Sequence, residues 1–337
     1  MRTITMEHKF GGTITDVRHL VGEFWLSLIT LHGGSMAKFP TWLISVVIIL
    51  LWGTTFPALK LQLHYVSPFV LASWRVLPAG IALAIWALIR KHPRPSHSLW
   101  IQAAVSAILN VVLLYGGQIA ASAYLNPGLT AALLYLQPVL VTLFARIWLH
   151  ESLSIRKIVG VVVGILGVSL LALGSGNRIS LLGIGFAVSA AIGWALGTVY
   201  LKEHNHDSPT WFVALQFLLG GVFFTFVSLI TPSSPSHWTL VSVVSLLYII
   251  FGGTAGAWML WIVLLSRGEA SRVSTYLFGV PAVATLLGVI GFRESFTIRF
   301  LMGFIAISAS ILLVNSKISR NDPTKNDHRL ESDGLFR

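Results

Sequence analysis

One stretch of this chain occurs twice. Displaced by 143 positions, Pro138 falls on Pro281, Thr142 on Thr285 and Ile147 on Ile290. Glu151-Ser152 then falls on Glu294-Ser295, Ile155-Arg156 on Ile298-Arg299 and Gly160 on Gly303, without a gap. Each copy is an apolar run interrupted by one proline, a short charged corner, then a second apolar run rich in Gly or Ser. The first runs align as well, Trp52 with Trp194 and Lys60 with Lys202 at an offset of 142, while Arg75 has Gln216 as its counterpart. A repeat of this length sets the architecture before any motif is read. It predicts a five-helix unit made twice.

The composition says where such a unit lives. The chain of 337 residues is 55% hydrophobic and only 10% charged, with a mean hydropathy of +0.79. Soluble domains carry about 25% charged residues, so the expectation is an all-α, polytopic membrane protein in the lipid bilayer. Without cysteine, disulfides, thiolate metal sites and cysteine nucleophiles are excluded. The formal charge of +11 does not indicate nucleic acid. The basic residues sit singly between apolar runs and in the tail, where Lys and Arg orient membrane proteins.

Ten apolar runs of spanning length follow in order: 41–59, 68–89, 99–122, 127–149, 156–173, 180–201, 209–231, 240–265, 270–292 and 298–316. They divide into a first repeat (41–173) and a second (180–316), followed by a polar tail (317–337). The N-terminal extension (1–40) is separate. Within it, 17–31 is amphipathic but too short to span, and Met36-Ala37-Lys38 has the look of a protein start. Residues 1–35 therefore read as a mis-assigned upstream start or a peripheral helix. In the short loops one side collects Arg90, Lys91, Arg94, Arg156, Lys157, Lys202, Arg267 and Arg272; the other holds Lys60, Arg178, Arg293 and Arg299. The positive-inside rule puts the first side, and both termini, in the cytoplasm. An odd number of spans per repeat inverts the second copy relative to the first, the construction of many secondary transporters, whose solute site lies at the repeat interface.

Trp52-Gly53-Thr54-Thr55-Phe56 with Lys60, Ser73-Trp74-Arg75, and the paired segments Pro138…Glu151 and Pro281…Glu294 carry a family likeness. Over residues 40–316 the chain resembles the drug/metabolite transporter superfamily, specifically its ten-helix EamA-type exporters. The resemblance implies export of a small-molecule solute, amino acids or related metabolites, across the cell's cytoplasmic membrane, or efflux of drugs or dyes by the same fold. Two other classes stay open: a lipid-linked flippase or a non-transporting partner subunit. A membrane enzyme would need a motif such as H-E-x-x-H or G-x-S-x-G, and neither occurs.

All twelve acidic residues lie in loops, corners or tails, and none falls mid-span. A carboxylate-driven proton relay and a dedicated metal site are both disfavoured by this distribution. His204-Asn205-His206-Asp207 does not supply a full metal-ligand set, and no cofactor is expected. Arg75 is the clearest intramembrane ion, about 10 Å deep at ~1.5 Å per residue. It either meets a solute carboxylate or holds a structural polar contact, and the uncharged counterpart Gln216 suits the second. Arg146, near a span end, should snorkel. Trp52, Thr55 and Phe56 share one helical face, as do Trp194, Gly197 and Thr198; cavity lining and helix packing are equally open for them. Pro138 and Pro281 each remove a mid-span donor, and Tyr135, Pro138 and Thr142 form a face expected to line a cavity, with Tyr276 and Thr285 in the second copy. Asn110, Tyr115, Gln118 and Trp258 complete the cavity candidates, although Asn and Gln also bond helix to helix. Glu151 and Glu294 are each expected to cap the helix that follows. Gly160-x-x-x-Gly164 permits close packing or a homodimer face.

Overall fold

A computed structural model describes residues 39–125, 127–172, 180–204, 208–231, 238–292 and 298–315. The expectations for 1–38, the Glu294 corner, the tail, Asn205 to Asp207 and the Thr285 side chain lie outside the described residues. The first repeat contains α1 (Thr41–Gln62), α2 (Pro68–Ile89), α3 (His97–Tyr124), α4 (Pro127–Leu134), α5 (Gln137–Trp148) and α6 (Ile155–Ala172). The second contains α7 (Leu181–Glu203), α8 (Pro209–Ile230), α9 (Leu240–Ser266), α10 (Ala270–Thr275), α11 (Gly279–Phe292) and α12 (Ile298–Asn315).

Local chemistry places the ends. Pro68 and Pro209 open α2 and α8, where a missing N–H leaves no bond unmade. The side chains of Ser96 and Ser180 accept from Leu99 N and Gly183 N at 3.2 and 3.3 Å, and Thr239 with Ser242 forms a capping box on α9. Helices apolar on every side are covered by lipid where they are not covered by protein. Leu50, Ile85, Phe226, Leu240 and Met302 accordingly stand exposed around the outside.

Among the described residues six helices, α1, α2, α3, α7, α8 and α9, are long and apolar enough to cross a membrane. The fourth and ninth apolar runs are not single helices, as continuous spans would require. The fourth breaks at Tyr135–Leu136, just before Pro138, and the ninth passes through a 3-10 turn at Tyr276–Phe278, just before Pro281. Proline cannot donate to the preceding turn, so the duplicated proline breaks both copies at the same place. A second duplicated irregularity has no sequence signal. The backbone widens to π-helical form at Ala107–Gly116 in α3 and at Phe251–Gly256 in α9, the second lying within the first once displaced by 143 residues.

The two repeats interlock rather than stand side by side. The most extensive contacts pair α2 with α8 and α6 with α12, each a helix with its own counterpart. α1 packs on α9 and α11, while α7 packs on α3 and α5. The first helix of each repeat thus belongs, by contact, to the other repeat. Close approach at α2–α8 depends on Gly80 and Gly221: a Cβ would come within 2.8 Å of Leu218 N and 2.7 Å of Leu77 Cα, respectively. Leu77 and Leu218 are themselves counterparts, so the crossing is made twice. Gly160 and Gly164 face Val314, Ser310 and Phe278 of the same chain, which accounts for their spacing by internal packing.

Candidate functional site

Where the interlocked bundles meet, counterpart residues touch one another. Trp52 and Trp194 stand edge to face with ring centroids 5.4 Å apart. Trp258 Nε1 donates to Tyr115 Oη at 2.7 Å. Around these pairs gather Trp261, 5.9 Å from Trp52, Phe217, 5.9 Å from Trp258, and Tyr135, 5.7 Å from Trp194. Edge-to-face packing, as in the Trp52–Trp194, Tyr135–Trp194 and Phe217–Trp258 pairs, adds about 0.5–1.5 kcal/mol per pair beyond burial, so the centre is a packed aromatic cluster.

A pocket of about 30 Å³ opens inside that cluster, room for one or two waters. Its wall is Trp52, Thr55 and Phe56 of α1, Arg75 of α2, Leu114, Tyr115 and Gln118 of α3, Leu134 of α4, Tyr135, Trp194 of α7 and Trp258 of α9. Arg75 is only 2% exposed. Its Nε donates to Thr254 Oγ1 at 2.9 Å, its guanidinium carbon lies 4.0 Å from the Tyr115 ring centroid, and Nη1 has no hydrogen-bond partner. Thr55 Oγ1 donates to Leu51 O at 2.6 Å.

Other sequence candidates lie away from this wall. Gln216 Oε1 accepts from Ser106 Oγ at 2.7 Å, and Asn110 Nδ2 donates to the same hydroxyl at 2.9 Å, a polar relay tying α3 to α8. Thr198 Oγ1 accepts from Gln137 Nε2 at 3.2 Å. Thr142 bonds Pro138 O on its own helix at 2.8 Å. Pro138 and Pro281 are buried and Tyr276 half-buried, and none of the three is on the wall. Phe56, Leu114 and Leu134 also line the pocket. Only the face-sharing of Phe56 with Trp52 pointed to any of them. Asn110 and Thr55 show one further reciprocity: a Cβ at Gly197 would run into Asn110, and one at Gly253 into Thr55 Oγ1. Gly197 is the counterpart of Thr55, and Gly253 of Asn110.

One end of the bundle is tied by charge. His150 adopts a left-handed backbone, φ 52°, and from this corner Glu151 reaches across to the other repeat. Its carboxylate accepts from Ala270 N, Ser271 N and Ser271 Oγ at the start of α10. The expectation that Glu151 caps the following helix is therefore corrected. Negative charge at a helix start is favourable, but the start that it meets belongs to the opposite repeat, because α5 packs there on α10. Lys157 Nζ adds an ion pair with Glu269 at 2.8 Å and donates to Ser152 O at 2.8 Å. Lys202 Nζ donates to Leu265 O at 2.9 Å. Arg146 stands exposed at the same end, 3.4 Å from Glu151 O. Among the described residues no cluster of side chains could hold a metal ion.

Known proteins share this plan. The model of the EamA-like transporter family matches twice, over residues 40–173 and 181–316. The "uncharacterized transporter YvbV" of Bacillus subtilis is 37% identical over 285 residues, 84% of this chain and 93% of that protein. A "probable amino-acid metabolite efflux pump" of Salmonella typhimurium is 25% identical over 80% of this chain and 93% of its own length. A solved crystal structure, 19% identical, superposes with a TM-score of 0.70 over 86% of this chain and 98% of its own, a likeness of fold. With the double family match and the YvbV identity, the chain belongs to the EamA-like transporter family of the drug/metabolite transporter superfamily, and is a multi-pass membrane transporter rather than an enzyme.

Proposed function

We propose that the protein is a secondary transporter exporting small metabolites, amino acids or related compounds, across the cytoplasmic membrane by alternating access. The reading takes ten crossings in two inverted repeats, with both termini cytoplasmic. One observation carries it: the central pocket lies where counterpart residues of the two repeats meet, and charged contacts fasten one end across the same boundary. The bodies that part are contact bundles rather than sequence halves, α1 with α9–α11 against α7 with α3–α5. Glu151, Lys157 and Lys202 bridge them at the end that the Lys and Arg count places in the cytoplasm. At about 30 Å³ the pocket holds no metabolite, so this conformation corresponds to a closed step between loading and release. The aromatic wall equally suits an apolar drug or dye, the second reading.

A growth screen tests the function. Cells overexpressing the protein are challenged with toxic amino acids, dipeptides and dyes, and resistance to one class with reduced cellular accumulation is expected. Unchanged accumulation across all three would refute export. Reporter fusions in 150–156 and 293–299 should report opposite faces; the same face for both would end the inverted-repeat reading.

A further inference from the structure

Two buried polar atoms on the pocket wall lack a hydrogen-bond partner, Arg75 Nη1 and Trp194 Nε1. Both are N–H donors. The partnerless acceptors among the described residues, such as Asn110 Oδ1 and Gln137 Oε1, lie off the wall. The guanidinium is bonded through Nε to Thr254 and lies over the Tyr115 ring, and Nη1 is left without a partner. Among the described residues Arg75 is in no ion pair, and the carboxylates described, Glu151, Glu203 and Glu269, lie in corners or at helix ends. A buried cation without a counter-charge is unfavourable, and guanidinium is the donor geometry suited to a carboxylate. The rest of the wall is chiefly aromatic, from Trp52, Phe56, Tyr135 and Trp258, and carries no acid to pair an ammonium group.

We infer that the solute is an organic anion: a carboxylate on an aromatic or apolar body, its charge taken by Arg75 and its second oxygen by Trp194 Nε1. A zwitterionic amino acid fits through its carboxylate, and its amino group is dispensable. The inference rests on the transporter reading only for what happens after binding; the binding preference stands by itself.

Three solutes with one ring separate the charges: phenylacetate (carboxylate only), phenylalanine (both charges) and phenethylamine (amine only). Binding to the purified full-length protein is measured by scintillation proximity with labelled solute, and flux in proteoliposomes. Phenylacetate should bind at least as tightly as phenylalanine, and phenethylamine at least tenfold more weakly. Arg75→Gln, which can keep a donor to Thr254, should remove the preference. If that variant does not fold, Arg75→Lys serves: charge kept and fork lost, it should bind phenylacetate about tenfold more weakly while still rejecting phenethylamine. Equal binding of the amine, no binding of either carboxylate, or an unchanged preference in a folded Arg75→Gln would overturn the proposal. Carboxylate-selective binding without flux of any of the three would instead count against transport and leave this site assignment standing.

Discussion

Trp258 Nε1 and Tyr115 Oη, 2.7 Å apart, join two residues that hold the same position in the two repeats, 143 residues apart. A residue reaches its own counterpart only on the axis that relates the copies, so this bond marks the centre of the molecule. It also crosses between the two contact bundles, in the wall of the pocket.

Loosening that bond should shift the balance between closed and open states. A neutral hydrogen bond contributes about 1 kcal/mol, roughly a fivefold change in an equilibrium. Tyr115→Phe and Trp258→Phe should each change the initial rate of solute flux by about that factor, and the double variant no further, measured in proteoliposomes as a double-mutant cycle. Additive effects would show that the two side chains act separately.

The charged end offers a second handle. Lys157 is 3% exposed and its partner Glu269 36%, so the pair is partly screened and contributes about 1 kcal/mol. The chain has no cysteine, so a single Ser274→Cys at this fully buried position is a clean reporter of opening. Lys157→Ala and Glu269→Ala should each raise labelling of that cysteine by a maleimide about fivefold. An unchanged labelling rate would mean that the pair does not hold this end closed.

Helix glycines should be intolerant where space is absent, as at the α2–α8 crossing, and tolerant where it is not, as at Gly185 of α7. Gly80→Ala sets a Cβ 2.8 Å from a backbone nitrogen, an overpacking of about 1–3 kcal/mol. Gly185 has nothing within 4 Å of its Cβ position, and Ala there gains up to about 1 kcal/mol in helix propensity. Thermal stability in detergent should fall for the first and hold or rise for the second.

Gln216 is placed as a structural contact, in contrast to its counterpart Arg75. Gln216→Leu should lower stability by about 1 kcal/mol through loss of the bond to Ser106 and leave phenylacetate affinity unchanged. A tenfold loss of affinity in this variant would place Gln216 in the binding site after all.

Much of the fold is legible in the amino-acid sequence. Apolar length located the six long helices α1, α2, α3, α7, α8 and α9, since lipid demands long runs without charge. The duplicated proline positions marked where two of the runs break, because a missing N–H acts locally. Arg75 stood out from its depth alone. The helical-face argument went only part of the way. Trp52, Thr55 and Phe56, which it grouped on one face, line the pocket together, whereas the hydroxyls of Thr142 and Thr198 bond a carbonyl of the same helix and Gln137.

Sequence by itself settled the class, the duplication and the absence of cysteine and of mid-span acid, because those are properties of composition and local spacing. Tertiary structure alone decided that each repeat's first helix packs into the other repeat, that Glu151 caps α10 rather than its own neighbour, and that the pocket's unpaired polar atoms are all donors. The reason is that a polar side chain inside a membrane protein must find a partner somewhere, and a neighbouring helix satisfies it as well as a solute does. Only the packing of α1 and α7 between their partners says which of the two each residue meets.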